Sequence, residues 1–385
     1  MFALLELRKI STYRCWAQSA ALVFACSAVF TVATAQEIKV GQVGPFTVLP
    51  SPDAHDINKG AQAYFNDINA NGGLRGRKIS FFKLDDKFNG DEFAKQIEVA
   101  AQQKPIALIT PIGSAAINNA IKNNLFDKYD FIVMNAVPGA DIFRNPGHPR
   151  LFHIRASDGQ QIEKILRNAS TIGLKKVHVF HQDLPIGVAG LASARKAGLA
   201  NGQSINSTQS KDDTALLYAA ALEVFKASPE GVLVIGTPKF MADSVAQLRK
   251  ASFTGSVFAL SYVPPSLLVK LAGEGARGVG IAKTYPNPMS PVLPLAREFQ
   301  ASMATHYADL KTYSDFHFEG YISAKMLVEG MKRAGSNLTA DSLARSLKTM
   351  GRTDLGGFSV DFSKGNAGSN FVDIAVISSG GTLRY

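Results

Sequence analysis

Short runs rich in apolar and β-branched residues alternate with longer runs whose apolar positions recur every three or four residues, from Ile38 nearly to the end of the chain. Ile38 to Val43 reads as a strand, and Asn58 to Asn69 as a helix with Ala61, Tyr64, Phe65 and Ile68 among its apolar residues. Asn71-Gly72-Gly73 closes that helix, because Asn and Gly tolerate the left-handed conformation that ends one. Strand Lys78 to Leu84, helix Asp91 to Gln103, strand Ile106 to Thr110, helix Ser114 to Leu125 and strand Phe131 to Asn135 follow. Strands separated by crossover helices predict a parallel sheet covered on both faces, with ligands beyond the carboxyl ends of the strands.

The rhythm restarts after Arg155. Helix Asp158 to Thr171, strand Lys176 to His181, helices Val188 to Ala197 and Ala215 to Ala227, strand Val232 to Ile235, helix Phe240 to Ala251 and strand Ser256 to Leu260 imply a second sheet of the same class. Three more helices (291–306, 318–334, 339–350) and strands near 358–361 and 372–377 complete the pattern. A chain of 385 residues suits two lobes. With no low-complexity linker between the halves, the expected fold is α/β: two doubly wound parallel-sheet lobes joined by hinge crossings near Arg155, Thr284 and Ser363, with the ligand in the cleft between them. The expected division is 1–35 as a signal peptide, 36–155 with 285–361 as lobe 1, and 156–284 with 362–385 as lobe 2.

Arg8, Lys9 and Arg14 precede an uncharged apolar stretch from Ala20 to Val32, and Ala33-Thr34-Ala35 offers a small-x-small cleavage site before Gln36. Export through a cleaved secretory signal is therefore expected. A retained anchor lacks its basic stop-transfer cluster, and a lipoprotein cut before Cys26 would need a smaller residue than Phe24. Cleavage removes Cys15, Cys26 and Trp16, so the mature chain relies on its core rather than on disulfides. It leaves 38 basic against 30 acidic residues, a net charge of +8. The basic residues are scattered without interleaved aromatics, which argues against a nucleic-acid partner.

The segment GAQAYFNDINANGGLRGRKISFFKLDD (60–86), FHIRASDGQQ (152–161), IGTPKF (235–240) and FEGYISAKMLVEGMKRAG (318–335) resemble type I periplasmic solute-binding proteins of ABC importers, in particular the leucine/isoleucine/valine-binding group. The resemblance runs in order from Ile38 to Leu383. It implies a periplasmic protein that captures a small organic solute, an amino acid or a carboxylate, by closing two lobes. It also implies an ABC permease and its ATPase as partners, no cofactor, and action as a monomer. The rival reading is a ligand-sensing receptor module for a membrane signalling protein.

Motifs for other functions lack their context. Gly273 to Gly278 satisfies G-x-G-x-x-G, yet it follows a helical run and enters a strand, the reverse of a dinucleotide site. His178 and His181 stand three apart on a strand and point to opposite faces, so they do not suit a shared metal. No G-x-S-x-G elbow, P-loop or mature thiol points to catalysis, and no catalytic residue is assigned.

The strand-end loops supply the candidate ligand-binding residues. Gly113, Ser114 and Ala115 open a helix whose N–H groups and hydroxyl suit a carboxylate. Phe46 and Phe88 follow the first two strands, and Asp183, Ile186 and Thr237 lie on loops of the second lobe. By resemblance, Pro138-Gly139-Ala140 and Ser261-Tyr262 occupy loops where amino-acid binders place the threonine and glutamate that receive an α-ammonium. Neither residue is present, so a carboxylate without an α-amino group is expected to bind at least as well as its amino-acid analogue; the alternative is that Asp86, Asp183 or ordered water receives the ammonium instead. His55, Lys87, Arg155 and Lys239 are further cations able to complement an anion, and Glu319 reads as a structural residue near the hinge.

Overall fold

The structure, a computed structural model, describes residues 36–48 and 53–385. The expectations for the export segment, Cys15, Trp16 and Cys26 lie outside the described residues. Among these no helix is long and apolar enough to cross a membrane.

The first sheet is laid down by β1 (Ile38–Gly44), α1 (Asp53–Ala70), β2 (Ile79–Asp85), α2 (Gly90–Gln102), β3 (Ala107–Ile109), α3 (Ser114–Lys122), α4 (Leu125–Lys128), β4 (Ile132–Met134) and β5 (Leu151–Phe152). Its strand order is β2-β1-β3-β4-β5, parallel throughout. The central strands are uninterrupted apolar runs, Ala-Leu-Ile and Ile-Val-Met, wholly buried because helices cover both faces.

The second sheet follows through α5 (Asp158–Thr171), β6 (Lys176–Gln182), α6 (Pro185–Ala200), β7 (Ser204–Ser210), α7 (Thr214–Lys226), β8 (Gly231–Ile235), α8 (Pro238–Lys250), β9 (Ser256–Ala259), α9 (Pro265–Ala272) and β10 (Gly280–Lys283). The chain then returns to the first lobe as α10 (Pro294–His306), α11 (Asp315–Ala334), α12 (Ala340–Thr349) and the hairpin β11 (Thr353–Asp354) and β12 (Ser359–Val360). It ends in β13 (Asp373–Ile377) and β14 (Leu383–Arg384), which join the second sheet antiparallel, giving the order β14-β13-β10-β9-β8-β6-β7. The two doubly wound lobes are thus joined by three crossings of the chain.

One close approach positions the hinge. α1 crosses α11 at paired glycines: a Cβ on Gly60 would lie 1.8 Å from the His317 carbonyl oxygen, and one on Gly320 2.0 Å from that of Ile57. With no side chain at either position the helices touch backbone to backbone, which sets the neighbouring Glu319 against the crossings.

The structure corrects the sequence reading in three places. The run expected as one helix from Ser114 to Leu125 breaks after Lys122, where Asn124 adopts a left-handed conformation and α4 restarts at Leu125. The polar segment Ser204–Ser210 is an edge strand paired along its length with β6, although it carries no strand-like apolar alternation. The strands β5, β11 and β14, two residues each, were not expected. The G-x-G-x-x-G segment lies between α9 and β10, with Gly273–Ala276 as a 3-10 turn.

Candidate functional site

The loops at the carboxyl ends of β1 to β4 carry the first set of candidates. Asp85 organises two of them: its carboxylate accepts from the Phe46 N–H at 2.8 Å, the Lys87 N–H at 3.1 Å and the Thr47 hydroxyl. Burial opposes its charge, but these bonds outweigh burial and hold its pKa below the ordinary value. The Phe46 ring meets His55 edge-on at 5.4 Å, with the Lys83 ammonium 5.2 Å from the ring centre. His55 Nε2 donates to the Phe46 carbonyl at 2.8 Å.

Asp86 is fully buried and one of its oxygens has no partner, while the other accepts the Phe88 N–H at 2.8 Å. Burial raises its pKa to about 7, with the charges of Asp85 and Glu92 adding to the rise. Lys87 and Phe88 both adopt left-handed backbone conformations, at φ 52° and 54°, which costs non-glycine residues about 1 kcal/mol or more each. This pair of residues displays the Phe88 ring half-exposed beside Gly113, where a Cβ would sit 3.3 Å from it. The structure therefore brings Phe88 and the Gly113 loop together.

Gly113, at φ 106°, is the residue before α3, so Ser114 occupies the first helical position and does not itself cap the helix. Among the described residues no side chain caps this N-terminus, which leaves the first-turn N–H groups and the Ser114 hydroxyl as donors. Ala115 is exposed in the same turn, its carbonyl packed on Gly90.

The loop after β4 is the opposite case. Arg144 donates to the carbonyls of Pro138 and Ala140 at 3.2 Å each and to that of Arg155 at 3.0 Å, and the Asp158 N–H donates to the Gly139 carbonyl at 2.8 Å. Each carbonyl of Pro138-Gly139-Ala140 is engaged by the protein. Ser261 and Tyr262, after β9, are brought against the same loop. The Tyr262 hydroxyl donates to Asp158 at 2.5 Å, and a Cβ on Gly139 would meet that carboxylate at 2.1 Å and the hydroxyl at 2.4 Å. Burial raises the Asp158 pKa, opposed by the Tyr262 bond and by Arg144 and Arg155.

Arg155 ties this end to the hinge. It pairs with Glu319 at 2.5 Å, donates to the Ser261 hydroxyl at 2.6 Å and lies 4.8 Å over the Tyr262 ring. Burial works against the guanidinium charge, but the Glu319 carboxylate outweighs it and holds the Arg155 pKa above its ordinary value. Asn135 closes the network: its oxygen accepts from the Ile154 and Arg155 N–H groups, and its amide donates to Tyr285, Glu319 and Ser323. Ser261 is fixed from the other side by Gln161, which accepts both its N–H and its hydroxyl. The first and third crossings are bound together, the His153 N–H donating to Asn366 O at 2.7 Å and Gly368 N–H to His153 O at 2.8 Å.

Asp183, Ile186 and Thr237 make their contacts within the second lobe. Asp183 accepts from Gln209, Ile186 packs on the lobe's core, and the Thr237 N–H donates to Gln182 at 2.8 Å. Lys239 bonds Asp212 and Asp243 on the surface. His178 and His181 are taken by Thr208 and the Gln182 carbonyl. The sequence reading missed Asn135, Arg144, Asp158, Gln161 and Tyr285. One signal was available: Ser157-Asp158-Gly159-Gln160 is an S-x-x-Q capping box, which the structure forms at the start of α5.

The sequence profile of the periplasmic binding protein family matches residues 37–382. Among solved structures the chain is similar to an extracellular ligand-binding receptor from Verminephrobacter eiseniae ef01-2, at 44% identity and TM-score 0.88 over 91% of this chain and 100% of that one. It is also similar to a substrate-binding periplasmic protein from Ralstonia solanacearum, at 27% identity and TM-score 0.82 over 90% and 99%. A possible leucine/isoleucine/valine-binding protein from Rhodopirellula baltica SH 1 shares the fold at 21% identity and TM-score 0.79 over 90% and 95%. No curated protein sequence matches the chain. The chain belongs to the periplasmic binding protein family.

Proposed function

We propose that this member of the periplasmic binding protein family is the exported solute-binding subunit of an ABC importer, which closes its two lobes on a small organic carboxylate and delivers it to a permease driven by its ATPase. The observation that carries the reading is the contrast between two adjacent loops. Donors at Gly113, Ser114 and Ala115 stand without a capping side chain, whereas the acceptors at Pro138-Gly139-Ala140 and Tyr262 are engaged by the protein's own groups. Together these two loops complement an anion and offer few acceptors to an ammonium.

In this reading Ser114 and its neighbours hold the carboxylate, Phe46 and Phe88 cover the apolar body, and Asp183, Ile186 and Thr237 close from the second lobe. The lobes are 36–155 with 285–361 and 156–284 with 362–385. The protein acts as a monomer, without catalysis, after cleavage near Gln36; the mass of the mature N-terminus tests the cleavage, and a retained Met1 contradicts it. Proteins of the same fold at 19% and 18% identity have been solved with benzoate and with leucine, which leaves carboxylates with and without an amino group within the fold's reach.

Thermal-shift screening of mature protein against aliphatic and aromatic acids and amino acids identifies ligands, since a solute that binds only the folded state raises its melting temperature. Calorimetry with matched pairs then decides the class. A 2-oxo acid should bind at least as tightly as its amino acid, and clear preference for the amino acid overturns the reading.

A further inference from the structure

Asp158 is a nine-tenths buried carboxylate that makes no salt bridge among the described residues; its side-chain hydrogen bond is to the neutral Tyr262 hydroxyl. The two nearby cations are committed elsewhere, Arg155 to Glu319 and Ser261, and Arg144 to three backbone carbonyls. One further acid lies close: Asp141, whose carboxylate approaches to 2.5 Å of a Cβ position on Gly159 and whose charge adds to the rise in the Asp158 pKa. The hydroxyl that satisfies Asp158 sits directly over Gly139, at the meeting point of the loops that follow β4 and β9. Those are carboxyl ends of parallel strands, where α/β sheets receive their ligands.

We propose that Tyr262 determines specificity by excluding cationic ligand groups: its phenol occupies the hydrogen-bonding position on Asp158 that an ammonium would otherwise take, above the glycine that alone leaves room for it. A hydroxyl donor at 2.5 Å satisfies the carboxylate without adding charge, and the ring closes that end of the cleft beneath Arg155. Removing the phenol would leave Asp158 without its side-chain hydrogen-bond donor and open a space of ammonium size beside it, with Arg144 and Arg155 acting on the carboxylate only through their charge. Tyr262 is thus a specificity residue that deepens the carboxylate reading of the site, on which its consequence for solute choice rests.

The test is built so that the two can fail separately. Melting temperatures of the mature wild-type chain, Tyr262→Ala and Tyr262→Phe are compared in methylammonium or ammonium chloride against sodium chloride of equal concentration. Tyr262→Phe keeps the ring under Arg155 and deletes the hydroxyl alone, so it reports even where Tyr262→Ala does not fold. The wild type should melt equally in all salts. The variants should melt about 1 °C higher in the ammonium salts, and adding Asp158→Asn should abolish the difference. Equal melting in both salts for both variants, or a shift that survives Asp158→Asn, overturns the proposal. In the solute arm, Tyr262→Ala should move the ratio of amino-acid to 2-oxo-acid affinity at least about tenfold toward the amino acid. If the wild type binds neither solute the carboxylate reading fails, while the salt comparison still decides whether Tyr262 guards an ammonium position.

Discussion

Two neighbouring loops on the carboxyl edge of the first sheet treat hydrogen bonding in opposite ways. After β3 the chain turns at Gly113 into α3, and among the described residues no side chain caps that N-terminus. After β4 the loop is saturated: Arg144 and Asp158 take its three carbonyls, and Tyr262 closes over Gly139. Strand ends of one sheet are not equivalent, and the groups already partnered within the protein say as much about a ligand as the groups left over.

The saturated end should be the costlier to disturb. Replacing Arg155 by Met leaves Glu319 buried without its cation, and urea unfolding should record a loss of about 3–5 kcal/mol. A loss under about 1 kcal/mol would mean that the bonds from Tyr285 and Asn135 suffice to hold Glu319, and the contrast between the loops would weaken.

At the open end the sensitive group is Asp86, beside Asp85 and Glu92, with its pKa lifted to about 7. An unfolded aspartate titrates near 3.9, so the fold takes up a proton between the two values. The stability this contributes is fully present below about pH 4 and is lost as pH rises through 7. Asp86→Asn cannot ionise and should therefore gain stability relative to the wild type between pH 4 and pH 7, by about 1–4 kcal/mol. Parallel stability curves would show that Asp86 stays ionised in the fold.

Smallest and most specific is the hydroxyl beside Gly113. Ser114→Ala should weaken binding of the preferred acid by about 1–3 kcal/mol in calorimetry, with stability nearly unchanged because Ser114 caps nothing. Unchanged affinity would place the carboxylate elsewhere.

Much of the architecture was legible because burial writes a period into the sequence. Asp158–Thr171 is bounded by its capping box, and β3 and β4 announce themselves as continuous apolar runs. β7 carried no such signal, since an edge strand half in water needs no apolar face. The α3–α4 break depends on one left-handed asparagine inside an otherwise helical run. Of the site, the loops were legible as strand ends, but their state was not. Asn135 meets Tyr285 and Glu319 across 150 and 184 positions of sequence, and Tyr262 meets Asp158 across 104, so only the fold reveals which groups are already spent.

The returning path of the chain also governs how this protein comes to be folded. α11, which packs on α1, and β13, which completes the second sheet beside β10, are contributed by the last quarter of the sequence. Neither lobe can finish before nearly the whole polypeptide is available: the packing of α1 on α11 joins residues about 260 positions apart and the pairing of β10 with β13 residues 90 to 96 apart, and such long closures slow folding.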